Sequence, residues 1–275
     1  MIGKTAAYTI CKNEIDYVTK WLFYTQKFDY RVILDTGSDD GTYEEFKKYD
    51  NVIIEQKIFD PWRFDVARKY NLAMVPEDVN WCLSPDLDEY FSINVLSQME
   101  KTINLYPNVT NISCDRLDIY SEDVRVGPPR NLGSNKIHRR FDYTWKSPIY
   151  EHLSWIHKDR PEVEIYNDDI YLIHDQDITK PRSKLYVKML IDQYNAEPSD
   201  IWCLWFLVNH YYKERDFLNF IKTGCDYIRY SSNSDNKYIE IKNELTNIVF
   251  NSAADDVIKN NIRQVLKEKE PWSNV

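Results

Sequence analysis

The stretch Trp81-Cys82-Leu83-Ser84-Pro85-Asp86-Leu87-Asp88-Glu89 decides how this chain is read. Trp81 to Leu83 is an apolar run that predicts a buried strand. Pro85 has no N–H to give a ladder and forbids continuation as a central strand. Two carboxylates, Asp86 and Asp88, follow at once. In extended backbone, residues i and i+2 point the same way, so both side chains can face one cavity. In open α/β sheets, ligands sit in the crevice beyond the carboxyl ends of the strands. Carboxylates placed there suit a hard divalent cation, which in turn binds a diphosphate. The Asp-x-Asp pattern is short and recurs at Asp175-Gln176-Asp177. The flanking segments therefore decide between a site and a solvated turn.

Upstream, strands and helices alternate. Residues 6–11 predict a strand, followed by a helix from Glu14 with Asn13 as N-cap and Ile15, Val18 and Leu22 at helical spacing. Residues 31–34 predict a second strand, and Asp35-Thr36-Gly37-Ser38-Asp39-Asp40-Gly41 is turn chemistry. Thr42-x-x-Glu45 predicts a capping box for a short helix through Lys48. Residues 52–55 form a third strand, Asp60-Pro61 opens a helix through Met74, and residues 79–83 are the fourth strand. This order predicts a mostly parallel sheet with right-handed crossovers. Residues 106–178 look more β-rich, with candidate strands at 109–114, 136–140 and 170–173. Beyond Pro181 the pattern turns helical, with segments at 183–194, 200–213, 215–230, 237–250 and 254–267. Two regions are expected, 1–180 and a helical 181–275.

Composition bounds the function classes. The 35 basic and 44 acidic residues give a net charge of −9 with no block of like charges, so no general grip on nucleic acid or anionic membrane is expected. Five dispersed cysteines without a Cys-x-x-Cys pair (Cys11, Cys82, Cys114, Cys203 and Cys225) read as reduced core thiols of a cytoplasmic protein. Lys12-Asn13-Glu14 interrupts the N-terminus too early for a signal peptide. The longest apolar run, residues 201–208, is far short of the roughly 20 residues a bilayer requires. The sequons at Asn108 and Asn111 are then chance matches.

Four blocks in order resemble the nucleotide-binding half of family 2 glycosyltransferases with the GT-A fold. They are Thr9-Ile10-Cys11-Lys12-Asn13-Glu14, then Ile33-Leu34-Asp35-Thr36-Gly37-Ser38-Asp39-Asp40-Gly41-Thr42, then Trp62-Arg63-Phe64-Asp65-Val66-Ala67-Arg68, and last Asp86-Leu87-Asp88-Glu89. In the third block Lys69 stands where relatives carry Asn. The resemblance implies an α/β GT-A domain that binds a nucleotide-sugar donor, a UDP-sugar, with a helical C-terminal appendage. Asp35 would accept a hydrogen bond from the base, since a carboxylate is acceptor-only. Thr9 and Glu14 would line the base and ribose pocket, and Arg68 would face the diphosphate. The alternative for Arg68 is an i,i+3 pair with Asp65 on a solvated helix face.

Further on, Trp145-Lys146-Ser147-Pro148-Ile149-Tyr150-Glu151-His152-Leu153 resembles the later block that carries the general base. Tyr150 stands where His is common, so Glu151 is the candidate and His152 the fallback. His174, at the end of Tyr171-Leu172-Ile173-His174, resembles the histidine that closes the metal site. A carboxylate–imidazole set of Asp86, Asp88 and His174 suits Mn²⁺, with Mg²⁺ as the other choice. Within that set Asp86 would mainly hold the ribose or a metal-bound water. The implied reaction is inverting transfer to a hydroxyl acceptor that the sequence does not select among glycan, protein, lipid-linked or modified nucleic acid.

Two other classes stay open. A nucleotidyltransferase shares the strand–helix order, but it requires a Gly-rich loop after the first strand, and residues 9–14 contain no glycine. A catalytically silent binding or assembly module would make the helical tail the working surface, for acceptor access or self-association. Trp202, Trp205 and Phe206 are expected in that tail's core.

Overall fold

In the computed structural model, which describes residues 2–120, 136–176, 184–232, 236–251 and 256–269, the chain divides into two units, Met1–Pro181 and Arg182–Val275. Asp177 of the second Asp-x-Asp pair and the expected boundary at 180/181 lie outside the described residues.

The centre of the first unit is β1 (Lys4–Cys11), whose residues are buried from Thr5 onward. It pairs in parallel with β2 (Tyr30–Asp35) on one side and β4 (Val79–Leu83) on the other. β3 (Val52–Gln56) extends the sheet in parallel beyond β2. With strands on both sides and helices packed on both faces, β1 reads as an almost unbroken apolar run, as buried parallel strands do. β4 stops at Leu83, and the Ser84 N–H turns to the Lys136 carbonyl at 3.0 Å.

Beyond β4 the sheet becomes mixed. Its full order is β3-β2-β1-β4-β7-β6-β10-β5, with β5 (Glu89–Phe91), β6 (Asn111–Tyr120), β7 (Ile137–Arg139) and β10 (Glu164–Gln176), and α4 (Val95–Leu105) between β5 and β6. β7 runs antiparallel to β4 and β6, and β5 antiparallel to β10, while β6 and β10 are parallel. Two hairpin strands, β8 (Tyr143–Lys146) and β9 (His152–Trp155), form a separate small sheet. The result is a mixed α/β fold with a large, mostly parallel curled sheet.

Three local expectations are corrected. Asn13 is not the N-cap of α1 (Ile15–Thr25); it takes a left-handed φ of 56°. Its side chain exchanges two hydrogen bonds with Asp39, while Asp40 receives the Ile15 N–H. Thr42 is the first residue of α2 (Thr42–Phe46), not its cap. Asp40 accepts both its N–H and its hydroxyl, and Glu45 pairs outward with Lys48. α3 begins at Phe64 and runs to Met74, three residues after Pro61. Its first N–H, on Phe64, is satisfied by the Pro148 carbonyl from the β8–β9 loop at 3.0 Å. For α1 and α3 a partner distant in sequence replaced the local cap, and for α2 the neighbouring Asp40 took the bonds expected of the capping box.

The second unit consists of α5 (Lys184–Ala196), α6 (Ile201–Lys213), α7 (Phe217–Tyr230), α8 (Asn236–Asn251) and α9 (Asp256–Lys269). Asp200 caps α6 and Asp216 caps α7 through first-turn N–H groups. Its core gathers Leu204, Val208, Phe220, Ile228, Leu245 and Leu266. The expected Trp202–Phe206 face is rotated: α6 buries Cys203, Leu204, Leu207 and Val208 and leaves the three aromatic residues half-buried, of which Trp205 packs against the core.

Candidate active site

The site residues come from loops and strand ends that the fold brings together. Arg68 lies on α3 on the same face as Ala67, Asn71 and Leu72, which forces its guanidinium inward. Only 4% of the residue is exposed. The i,i+3 alternative fails, because Asp65 is taken by Arg63 and Lys69. Arg68 Nη2 instead meets Asp86, its Nε meets Glu151 Oε1 at 3.0 Å, and the Trp145 ring lies 5.0 Å from the guanidinium carbon. Because Pro148 takes the first N–H of α3, the β8–β9 loop is docked where Glu151 reaches Arg68. Ser147 and Tyr150 in that loop hold positive φ angles of 76° and 53°. Non-glycine residues adopt this conformation at a cost, and such positions cluster at functional sites.

Asp86 and Asp88 do share the strand end, but their environments differ. A tight turn connects Asp86 to Glu89, with the Glu89 N–H on the Asp86 carbonyl and the Asp86 N–H on Glu89 Oε2. Asp86 is gripped by Arg68 and, at 3.0 Å, by Lys136 Nζ. Burial opposes its ionised form, but these two cations outweigh it and hold its carboxyl far below the ordinary range. Asp88 faces His174 instead, with Oδ2 at 3.3 Å from Nε2.

His174 sits on β10 directly beside Glu89 of β5 and Asp118 of β6 in the strand register. Its Nδ1 lies 3.0 Å from Asp118 Oδ1 and 2.5 Å from Arg116 Nη2. Burial works against its imidazolium form, yet the bond to Asp88 prevails and its pKa is raised. Arg116 also binds Asp118 at 2.9 Å and approaches Glu89 at 3.6 Å, and Lys136 closes on Glu89 from the other side.

Arg68, Asp86 and Glu151 are thus joined by direct ion pairs, and Asp88 is joined to His174. Thr9, Glu14 and Asp35 stand at the ends of β1 and β2. Thr9 and Asp35 are fully buried. Asp35 Oδ1 accepts from the Gly37 and Ser38 N–H groups and from Gln56, fixing the turn. Burial pushes against its charge, and these donors more than compensate, so its pKa is lowered. Its Oδ2 meets the weak Cys11 thiol donor at 3.6 Å. The Glu14 N–H donates to Thr42 Oγ1 at 2.9 Å.

Sequence reasoning missed Glu89, Arg116, Asp118 and Lys136. The i, i+2 placement of Arg116 and Asp118 repeats the Asp86/Asp88 signal, but only strand pairing reveals that both reach the same place. Together Asp86, Asp88, Glu89, Asp118 and Glu151 oppose Arg68, Arg116 and Lys136, an excess of two negative charges with His174 neutral.

That excess suits a dication. Among the described residues, no three His, Cys, Asp or Glu side chains are grouped to hold an ion by themselves. Asp88 and His174 do fit as a pair. Two ligands at about 2.1 Å from one ion and at right angles stand roughly 3 Å apart, close to the 3.3 Å seen here. With Arg116 Nη2, a donor only, drawn back from Nδ1, an Nδ1–H directed at Asp118 would leave the Nε2 lone pair free for the ion, an orientation common behind metal-bound histidine.

Comparison with solved structures places this fold. Residues 1–349 of S. aureus TarS, solved in complex with UDP-GlcNAc, are 13% identical to this chain; the match covers 99% of this chain and 93% of that one at a TM-score of 0.52. The same segment in a second structure gives 13% identity, the same coverage and 0.53. Against the longer TarS chain the match is 14% identical at 0.50, covering 96% of this chain and 55% of that one, so this chain spans about half of it. The fold is of the GT-A type. No family model matches the chain, and no curated protein matches it in sequence.

Proposed function

We propose that the chain is an inverting, metal-dependent glycosyltransferase that moves a sugar from a UDP-sugar to an acceptor hydroxyl. One observation carries this reading: Arg68, Asp86, Asp88, Glu151 and His174 converge at the carboxyl side of a GT-A sheet, with an excess of negative charge suited to a dication. A diphosphate donor is supported by this pairing of a cation site with Arg68. The uridine is supported by the acceptor-only Asp35 and by the TarS structure solved with UDP-GlcNAc.

In this reading Asp35 Oδ2 receives the base N–H, the 36–38 turn shifting to admit it, while Thr9 and Glu14 line the base and ribose. Arg68 holds a diphosphate oxygen. Asp88 and His174 bind the cation, and Asp86 lies beside the ribose. A bound Mn²⁺ or Mg²⁺ would supply Lewis acidity to the leaving diphosphate. Glu151 is the general base: its Oε1 is held by Arg68, so Oε2 takes the proton from the acceptor hydroxyl as that oxygen attacks the anomeric carbon. One displacement inverts that carbon, and the electron pair of the broken bond leaves with the diphosphate. The helical unit carries none of these residues and is assigned to acceptor access or self-association.

The test needs no acceptor. A panel of nucleotide sugars is incubated with the protein and Mn²⁺ or EDTA, and free nucleotide diphosphate is measured. Slow metal-dependent hydrolysis of one donor is the expected result. No hydrolysis of any donor, together with no UDP binding by calorimetry, overturns the reading in favour of a silent module.

A further inference from the structure

Arg68 is closely confined, yet its Nη1 is buried with no hydrogen-bond partner among the described residues. A buried guanidinium N–H left unpaired is costly and marks the place of a missing acceptor. Next to it Lys136 Nζ, on a side chain only 18% exposed, reaches Asp86 Oδ2 at 3.0 Å and also Glu89. The Asp86 carboxylate therefore bridges two cations, with Oδ1 on Arg68 and Oδ2 on Lys136. Its side chain is itself 36% exposed, so the anion lies on the open side and the cations beneath it.

We propose that Arg68 and Lys136 form an anion clamp in which Asp86 stands in for the donor's diphosphate, making Lys136 a diphosphate-binding residue. The proposal rests on the nucleotide-diphosphate reading above. Both cations are fixed from behind: Lys136 by Glu89, which is 2% exposed, and Arg68 by Glu151 and the Trp145 ring. Among the described residues, the Asp86 carboxylate is held by these two cations alone. When a diphosphate arrives, its oxygens take over the Lys136 ammonium and the Arg68 fork, Nη1 gains its acceptor, and the Asp86 carboxylate turns out of the clamp toward the ribose. Charge-assisted bonds to phosphate replace charge-assisted bonds to carboxylate, so the exchange loses no pairing.

A purely structural salt-bridge role makes the opposite prediction for Asp86, and this gives the test its sign. Binding of inorganic pyrophosphate, UDP and uridine is measured by calorimetry in EDTA on the full chain and on three variants. Asp86→Asn removes the resident anion and is expected to tighten pyrophosphate binding about fivefold or more. Lys136→Gln is expected to weaken pyrophosphate and UDP about tenfold or more and to leave uridine unchanged, with Lys136→Arg restoring most of the loss. Should Lys136→Gln fail to fold because Glu89 loses one of its two cationic partners, Asp86→Asn decides alone, since it keeps both cations of the clamp.

Weaker or unchanged pyrophosphate binding in Asp86→Asn overturns the clamp, as does unchanged pyrophosphate binding in a folded Lys136→Gln. A wild-type protein that binds UDP while these shifts are absent keeps the proposed function and loses the clamp. One that binds pyrophosphate but not UDP, with the shifts present, keeps the clamp and loses the uridine donor. Binding of neither, with or without Mn²⁺, overturns both.

Discussion

In the sheet-containing unit Asp35, Arg68, Glu89, His138 and His174 are each less than a tenth exposed. In the helical unit the core is Leu204, Phe220, Tyr227, Ile228, Leu245 and Val265, and the buried polar residues among those described are Thr223 and Ser231. Folding does not require the first arrangement. Buried ion pairs are expensive to desolvate, and well-packed apolar residues in their place are often as stable or more so. The helical unit takes the apolar solution, with its ionic groups at caps and surface pairs. Among the described residues, charges are kept buried and interlocked in the sheet-containing unit, which is the pattern the proposed function requires. If substrate chemistry lies at the strand ends and packing in the helices, mutations on the two sides should differ in kind.

The largest expected effect is at Asp88. Asp88→Ala removes one of the two proposed cation donors and should take turnover to background while the far-UV spectrum is retained. Calorimetry with UDP, with and without Mn²⁺, checks the cause: an unchanged Mn²⁺-dependent gain in affinity would break the metal assignment. Next is Glu151→Gln, which keeps shape and hydrogen bonding but cannot accept a proton. Its kcat should fall by roughly 10²–10⁴ with UDP affinity nearly unchanged. A near-normal kcat moves the base to His152, the next residue in the same hairpin.

How far these residues could be read from sequence follows from how local their cause is. The order β1–α1–β2–α2–β3–α3–β4 was legible because apolar runs and helical spacing are set within each segment. β4 in particular was bounded by Pro85 and emerged as Val79–Leu83. Three caps misled: Asp40 serves both the distant Ile15 and the adjacent Thr42, and the Pro148 carbonyl serves Phe64. The three-residue strand β5 is too short to carry a period, and without it nothing places Glu89 beside His174. Lys136, Arg116 and Asp118 stayed hidden for the same reason. Their meeting depends on antiparallel and parallel pairings between segments distant in sequence. In the helical unit the period was legible but its phase was not: the large aromatics of α6 suggested one face, and the smaller Cys203, Leu204, Leu207 and Val208 are the ones buried.

On the packing side of the contrast, Leu245 is fully buried among Phe220, Ile228 and Leu266. Leu245→Ala should cost about 2–5 kcal/mol of stability, read as a lowered denaturant midpoint. Phe206→Ala, on the half-buried face, should cost distinctly less. Metal-dependent UDP binding should survive Leu245→Ala at temperatures where the variant is folded. Loss of UDP binding in the folded variant would mean that the helical core takes part in the donor site, and the contrast would fall.

The smallest effect separates the two units by pH. His138 on β7 is fully buried in a polar chain: Trp145 Nε1–H donates to the Tyr8 hydroxyl at 2.9 Å, that hydroxyl meets His138 Nε2 at 2.9 Å, and Nδ1 meets the Arg139 carbonyl at 2.9 Å. An Nδ1–H satisfies the carbonyl and leaves Nε2 to accept from Tyr8, so the neutral ring completes every bond. Burial dominates and drops its pKa from 6.5 to about 4, against a smaller opposing pull from the Arg139 carbonyl. Between these two values the unfolded chain binds a proton that the folded chain refuses, and stability therefore falls as pH falls. With a folded pKa near 4, the loss from pH 7 to pH 5 is about 2 kcal/mol. Asp86 and Asp118 have lowered pKa values and stay ionised across this window, and any other titrating group is common to wild type and variant. His138→Gln keeps a donor and an acceptor but cannot titrate. Guanidinium titrations at pH 7 and pH 5, followed by near-UV signal, should show wild type losing about 2 kcal/mol more than this variant. Equal losses would mean that the ring is protonated in the folded protein, and the Tyr8–His138 bond would then have to be reassigned.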